Sequence, residues 1–529
     1  MSNLSAMSHP AKVLIVGAGP VGLSAAVALS RAGIPIRIVD RLPAPINQSR
    51  AAIIHARTLE DFQRLGIVDD FLATGVKVHG VVLYGSDNQI LVRPSLDHIP
   101  SPYPYMLGLE QFKTEEILTA RLEEAGVKVE RGVELAEFKE NGGRVSTVLR
   151  RSDGTEDRGE FDYLLGADGS HSAVRAGLGL HLEGTTIDQT WITADVKIRW
   201  DRDPGEAVAC MSEEGMVFIA AMNDGRWRVI VSHKQMTPEE AAKATVADVE
   251  KIMSERFGMS MPLYDPVWIS PFGLNTRMAP TMQVSRVFLA GDAAHVHSPI
   301  GGQGMNTGIQ DSLNLAWKLA LVLKGLAKPE LLESYNSERH ANAKKLLEKI
   351  GAATKMASLR HPVAIEVRNH IIHLAGHLGI QNVMPGVVSM LNVGYPDSPV
   401  VSESHTSWLS RGPRAGERAP NAAGLAAAGC SEPTNLFELW SKDERHQALV
   451  FGDDIQIPAS PLYKITRITK SGTPSDGVVV DTEGHAHEVY AAEKTRALYL
   501  VRPDGIIAFR DGDASPAALA GYLAKWYVV

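Results

Sequence analysis

Residues 13–30 carry no charge at all, between Lys12 and Arg31, and this run constrains the fold more than any other stretch of the chain. Eighteen uncharged residues are just long enough to suggest a membrane span or a signal segment. Gly17, Gly19, Pro20 and Gly22 interrupt the run, however, a combination a spanning helix does not select, and no A-x-A cleavage pattern follows. The run therefore reads as strand, turn and helix. Residues 13–16 form an apolar strand suited to burial on both faces, residues 17–22 the turn, and residues 23–31 a helix stopped by Gly33. A second strand over residues 36–39 ends at Asp40, completing a βαβ unit.

The full chain of 529 residues is too long for one ordinary core and suggests about three domains. With 44% hydrophobic and 22% charged residues it has the composition of a globular protein. A net charge of −8 offers no general attraction to nucleic acid or an anionic membrane. The two cysteines, Cys210 and Cys430, lie far apart. They exclude a disulfide framework, a cysteine-rich zinc site and a redox C-x-x-C pair, and fit a reducing, cytoplasmic location.

Further along, residues 79–105 and 186–281 are rich in valine, tryptophan and turn residues and read as an antiparallel sheet layer. Residues 306–353 read as helical, and the Pro-, Gly- and Ser-rich residues 395–425 as a linker region. Strand-like runs at 448–451, 497–501 and 506–509, a turn at Pro503-Asp504-Gly505 and a helix from about Pro516 describe a small α/β unit at the end.

Three glycine-bearing turns carry the chemistry. Gly17, Gly19 and Gly22 make the spacing G-x-G-x-x-G after a strand and before a helix, with Asp40 at the end of the next strand. In such a turn the glycines allow a tight bend, close approach of a pyrophosphate and close helix packing, while a carboxylate accepts from a ribose diol. This alone does not separate FAD from NAD. The second is Gly291-Asp292 with the loop to Asn306, where a strand ends at a carboxylate and a glycine-rich loop enters a helix. That arrangement suits a flavin better than a metal, since Asp292, His295 and His297 have no further ligand at metal spacing. The third, Asp168-Gly169, is a strand-exit turn that reads equally well as structural.

Taken together these motifs resemble the group A flavoprotein aromatic hydroxylases, the family of p-hydroxybenzoate hydroxylase, phenol hydroxylase and pentachlorophenol monooxygenase. The resemblance covers most of the chain and extends to residues 49–60 and to Glu110-Gln111. It implies a Rossmann-like FAD-binding domain of the glutathione-reductase type (residues 1–78, 106–185 and 282–400) interleaved with a substrate-binding sheet domain (79–105 and 186–281). A linker (401–414) and a thioredoxin-like domain (415–529) without C-x-x-C would follow. It further implies that Gly17, Gly19, Pro20, Val21, Gly22, Asp40 and Arg41 hold the AMP half of FAD. Arg50 and Gln111 would reach its middle, Asp168 would serve FAD and NAD(P)H, and Gly291 with Asp292 would bind the flavin side chain. Pro299, Gly302, Gly304, Met305 and Asn306 would line the isoalloxazine ring. Asp40 stands where the family usually has glutamate, and the carboxylate is preserved.

The implied reaction is hydroxylation of a small phenolic aromatic by a flavin C4a-hydroperoxide, with NADH or NADPH and O2 as co-substrates and water excluded from the site. Tyr105, Met211, Met216, Phe218, Met222, Arg226 and Tyr264 are the candidate substrate contacts. The sequence names no phenol-deprotonating residue. Homodimers are common in similar enzymes, and the sequence leaves the oligomeric state open. Competing readings on the same fold are an epoxidase, a Baeyer–Villiger-type oxygenase, a halogenase (no W-x-W is present) or a non-oxygenating FAD oxidoreductase. A nucleotide-sensing protein that keeps FAD as a structural group stands further off.

Overall fold

The computed structural model describes residues 11–528 apart from 47–50, 86–87, 233–237, 299–300, 358–361, 378–385, 387, 406–410, 442, 453 and 493–495. Its first layer is a six-stranded sheet in the spatial order Gln283–Val284, Val287–Leu289, Tyr163–Gly166, Val13–Val16, Ile36–Asp40 and Glu130–Arg131. Val13–Val16 pairs parallel to both Ile36–Asp40 and Tyr163–Gly166, and the latter pairs parallel to Val287–Leu289. The three central strands nearest the turns, Val13–Val16, Tyr163–Gly166 and Val287–Leu289, are buried at every position, which is why they read as unbroken apolar runs.

The uncharged N-terminal run resolves into strand, turn and the helix Pro20–Arg31, which begins at proline and packs against a second long helix, Gly304–Leu323. Among the described residues no helix is long and apolar enough to cross a membrane. The stretch that reads as helical, 306–353, comprises two helices, Gly304–Leu323 and Glu333–Ala357. Gly325, at φ 70°, and Pro329, which opens a short 3-10 turn, separate them.

An eight-stranded, mostly antiparallel sheet faces this layer. Its order is His295–Val296, Leu263–Met278, Glu183–Ile198, Trp227–Ser232, Gly215–Ala221, Glu206–Ser212, Gly80–Tyr84 and Ile90–Val92. The strand alternation sorts its side chains. Ile192, Ala194, Val217, Ile219, Val229 and Val231 pack outward onto the helix Val246–Phe257, leaving Trp191, Thr193, Phe218, Arg228 and Ile230 on the inner face. Residues 186–281 are thus not strand throughout. A capping box between Thr245 and Asp248 starts the Val246–Phe257 helix and Gly258, at φ 61°, ends it.

The last unit is a seven-stranded sheet with Ile507–Asp511, Ala497–Val501, His446–Phe451 and Tyr463–Thr469 adjacent in that order, and the helix Pro516–Trp526 beside it. Ser402–Ser404 pairs with Ile507–Asp511 as an edge strand, so part of the expected linker belongs to this sheet. The unit docks through Ala448, Val450, Leu498 and Tyr522 on Trp317, Leu321 and Leu331.

Candidate active site

Parallel pairing brings the three glycine turns together. Val16, Gly166 and Leu289 end side by side, with Ala167 N–H donating to Val16 (2.8 Å) and Ala290 N–H to Gly166 (3.0 Å). The turns after them therefore share one edge, the carboxyl edge of a parallel sheet, where open α/β folds hold ligands. Between that edge and the inner face of the eight-stranded sheet lies a cavity of about 670 Å³.

Gly19, Pro20, Val21, Gln111, Gly291, Asp292, Gly302, Gly304 and Met305 all line it. Gly17 and Gly22 act by close packing. A Cβ on Gly17 (φ 104°) would fall 2.3 Å from the Ala167 carbonyl oxygen, and one on Gly22 would fall 1.9 Å from that of Gly17. A Cβ on Gly19 would meet nothing within 4 Å. Asp40 accepts from the N–H groups of Ala18 (2.7 Å) and Leu42 (2.8 Å), bracing the turn, while Arg41 is exposed. Asp168 accepts through Oδ2 from Ala173 N–H (2.7 Å) and Val174 N–H (3.2 Å), and its Oδ1 is buried with no partner among the described residues. Burial raises its carboxyl, against the pull of the Ser172 hydroxyl. Arg50 and Pro299 lie outside the described residues.

Asn306 does not line the cavity; it shapes the loop. Its amide donates to the carbonyls of Ile53 and Gly302 (2.9 Å each) and accepts from His55 N–H (2.9 Å). His55 in turn meets the Gly301 carbonyl through Nε2 at 2.9 Å. Burial pushes its imidazole down to about 4, although the Gly301 and Gly302 carbonyls pull the other way.

Of the seven expected substrate contacts, Met216 and Phe218 line the cavity. The other five sit elsewhere. Tyr105 is buried against Tyr103, His79 and Lys77, and Met211 packs in a side cluster with Leu83 and Leu91. Met222 is buried, Arg226 pairs with Asp265 at 2.9 Å, and Tyr264 is exposed beneath Arg199. The wall instead includes Trp191, Thr193, Arg228, Ile230, Trp268 and Phe272. Alternation along Trp227–Ser232 and Gly215–Ala221 is the signal that would have found Arg228 and Ile230. Arg228 is balanced within the wall, its guanidinium held bidentate by the buried carboxylate of Asp195 (Nη2 to Oδ2 2.9 Å), which also accepts from Trp268 Nε1 at 2.6 Å.

Behind the Gly291 turn lies a buried network that the sequence reading did not reach. Asp311 accepts from Gly291 N–H (3.0 Å), His295 Nε2 (2.8 Å) and Arg339 Nε (2.7 Å). Burial alone would raise its carboxyl, but Arg339 and His295 outweigh that and hold it below the ordinary range. Asp311 and Lys318 are the only charged residues of the Gly304–Leu323 helix, and two isolated charges in an apolar helix are the trace such a network leaves in sequence.

The chain belongs to the group A flavoprotein aromatic hydroxylases, a family of FAD-dependent aromatic monooxygenases; the FAD binding domain family matches residues 10–350. Among its relatives, the 6-methylpretetramide 4-monooxygenase of Streptomyces rimosus is 39% identical over 401 residues, 74% of this chain and 71% of that one. The pentachlorophenol 4-monooxygenase of Sphingobium chlorophenolicum is 31% identical over 524 residues, 96% and 95% of the two chains. Of solved structures, the OxyS anhydrotetracycline hydroxylase from Streptomyces rimosus superposes with a TM-score of 0.76 at 27% identity, covering 98% of this chain and 99% of that one. The flavin-dependent monooxygenase PieE, in complex with FAD and substrate, shares the fold with a TM-score of 0.81 at 22% identity, over 98% and 99%.

Proposed function

We propose that this protein is a single-component monooxygenase that hydroxylates a phenolic aromatic compound, using FAD with NAD(P)H and O2. The observation that carries the reading is the shared cavity, with three strand-end turns on one side and a largely apolar sheet face on the other. In this reading residues 1–78, 106–185 and 282–400 form a Rossmann-like FAD domain, 79–105 and 186–281 the substrate domain, and 415–529 a thioredoxin-like unit that serves packing.

The residues present fit FAD. The helices Pro20–Arg31 and Gly304–Leu323 both begin at the cavity with no side-chain cap and no acid in the first turn. Their leading N–H groups lack helical partners and suit a pyrophosphate at one end and an electron-rich ring at the other. Gly19 leaves open space for the first, and the orphan Asp168 Oδ1 awaits a donor near the cavity rim. Gly17, Gly19, Pro20, Val21, Gly22 and Asp40 would hold the adenosine end, with Arg41 near its edge. Gln111, Asp168, Gly291 and Asp292 would hold the middle, and Gly302, Gly304, Met305 and Asn306 the ring. When bound, FAD supplies hydride acceptance from the nicotinamide and activation of O2. The protein orients the aromatic against the ring, excludes water with Trp191, Phe218 and Ile230, and keeps the wall neutral through the Arg228–Asp195 pair. A neutral wall favours a phenol or larger polyphenol over a benzoate, whose carboxylate needs an unbalanced cation.

The test is purification with its flavin spectrum, followed by NAD(P)H-dependent O2 uptake against a panel of phenols. Hydroxylated product in stoichiometric amount supports the reading. Hydrogen peroxide alone with every compound, or turnover only with an artificial acceptor under nitrogen, overturns it.

A further inference from the structure

We propose that His297 is the proton acceptor for the hydroxyl of the aromatic substrate, with Nε2 presented to the cavity as a free lone pair. The tautomer follows from one contact. Nδ1 lies 2.9 Å from the Ser298 carbonyl oxygen, which has no proton to give, so Nδ1 carries the hydrogen. In the neutral ring Nε2 is then an acceptor. It is buried and meets no partner among the described residues. The ring lines the cavity together with Asp292, Gly304 and Met305, and a Cβ built on Gly304 would come 3.7 Å from Nε2. A buried acceptor left unpaired is costly, and a hydroxyl donor arriving in the cavity is what it lacks.

His295 cannot play this part. Its ring lies nearly parallel to that of His297, centroids 6.5 Å apart and planes 10° apart, but its Nε2 is engaged by Asp311 at 2.8 Å. The pair therefore divides the work. His295 belongs to the buried Asp311–Arg339 network beneath the Gly291 turn, and His297 faces the reactants. Among the described residues, the charged and titratable groups that act most strongly on His297 are His295, Asp292 and Asp311. Burial lowers the His297 imidazole, with His295 adding to the effect, against the pull of the Ser298 carbonyl, Asp292 and Asp311, so the ring is neutral at neutral pH and able to take a proton.

The inference rests on the phenol reading above. In the step itself the phenol O–H bond breaks, a bond from hydrogen to His297 Nε2 forms, and the electron pair stays on the phenolic oxygen, enriching the ring ortho and para to it. The imidazolium returns the proton to that oxygen once the ring has been oxidised, so no net proton is consumed by the histidine.

The experiment compares FAD-loaded wild type with His297→Gln and His297→Asn on phenols that the wild type accepts, sorted by acidity. For a weakly acidic phenol kcat should fall about 100-fold, the lower range of general-base effects. For a nitro- or polychloro-phenol already ionised at the assay pH the loss should be only a few-fold. The fall of kcat below the histidine pKa should vanish in the variants, and bound 4-nitrophenol should ionise at a higher pH than in the wild type, a readout independent of turnover. Equal losses on every phenol, or no loss, overturn the assignment while leaving the phenol reading intact. Loss of flavin from both variants also overturns it, because His297 would then be a support of the loop. A wild type with no phenol-stimulated turnover removes the phenol reading and this one with it.

Discussion

Arg502 and Glu338 stand 164 positions apart in the chain and meet as a bidentate ion pair, Nη1 to Oε1 at 2.6 Å and Nη2 to Oε2 at 3.0 Å, with both side chains fully buried. Lys318 joins at 2.8 Å on Oε2, and Asp504 faces Arg502 at 2.9 Å. The last sheet is thus tied to the Gly304–Leu323 helix, which starts at the cavity. Burial would raise the Glu338 carboxyl, but Arg502 and Lys318 overwhelm it and hold it far below the ordinary range. Replacing one partner leaves a buried charge uncompensated. Arg502→Met should therefore destabilise by about 3–5 kcal/mol in urea unfolding, and Glu338→Gln combined with it by less than the two single losses summed. A single variant as stable as the wild type would remove the clamp from this account.

Gly17 and Gly19 separate folding from binding. Gly17→Ala places a Cβ 2.3 Å from a backbone oxygen at a positive φ and should fail to fold or unfold at much lower temperature. Gly19→Val points into open cavity space and should keep its Tm within a few degrees while losing FAD. Tm and flavin absorbance on both variants decide the matter.

Asn306 makes three hydrogen bonds at the cavity loop, two across to the carbonyl of Ile53 and the N–H of His55 and one within the loop to the carbonyl of Gly302. At about 1 kcal/mol each, Asn306→Ala should weaken FAD binding by one to two orders of magnitude through a misplaced loop. Fluorescence titration of the apoprotein with FAD measures it, and an unchanged Kd would mean the loop holds its shape without the staple.

His55 sets a pH window. Its imidazole falls from 6.5 to about 4 in the folded protein, chiefly by burial. A group depressed on folding contributes stability that is fully present above its unfolded value and is lost as pH falls toward the folded one. Stability should thus decline between pH 6.5 and about 4, by about 3 kcal/mol in all. His55→Gln should flatten that slope in a Tm-against-pH series.

Asp195 neutralises the one guanidinium seen on the cavity wall among the described residues, that of Arg228. Asp195→Asn should turn the wall cationic, tightening inhibition by benzoate about tenfold, a single charged hydrogen bond's worth. Competition against the working phenol, read as an inhibition constant, checks the direction.

Much of this architecture was legible in order along the chain. The strand at Val13–Val16, the turn through Gly22 and the strand Ile36–Asp40 stand where the glycines and the apolar run put them. The turn at Pro503-Asp504-Gly505 and the helix Pro516–Trp526 do likewise. The cavity wall was legible only in part, because a methionine or tyrosine in a strand-rich stretch does not say which face it takes. Met216 and Phe218 reach the cavity, whereas Met222 and Tyr264 do not.

The amino-acid order settled what depends on neighbours, namely apolar runs, glycine turns with their carboxylates, and helix starts, since backbone sterics and periodicity act over a few residues. Pairing across the chain was left to the folded state. The register of the eight-stranded sheet turned Arg228 inward onto Asp195, and parallel stacking set three turns at one edge. Burial then forced distant charges together, Asp311 with Arg339 and Glu338 with Arg502, because a charge removed from water must find its partner wherever the chain brings one.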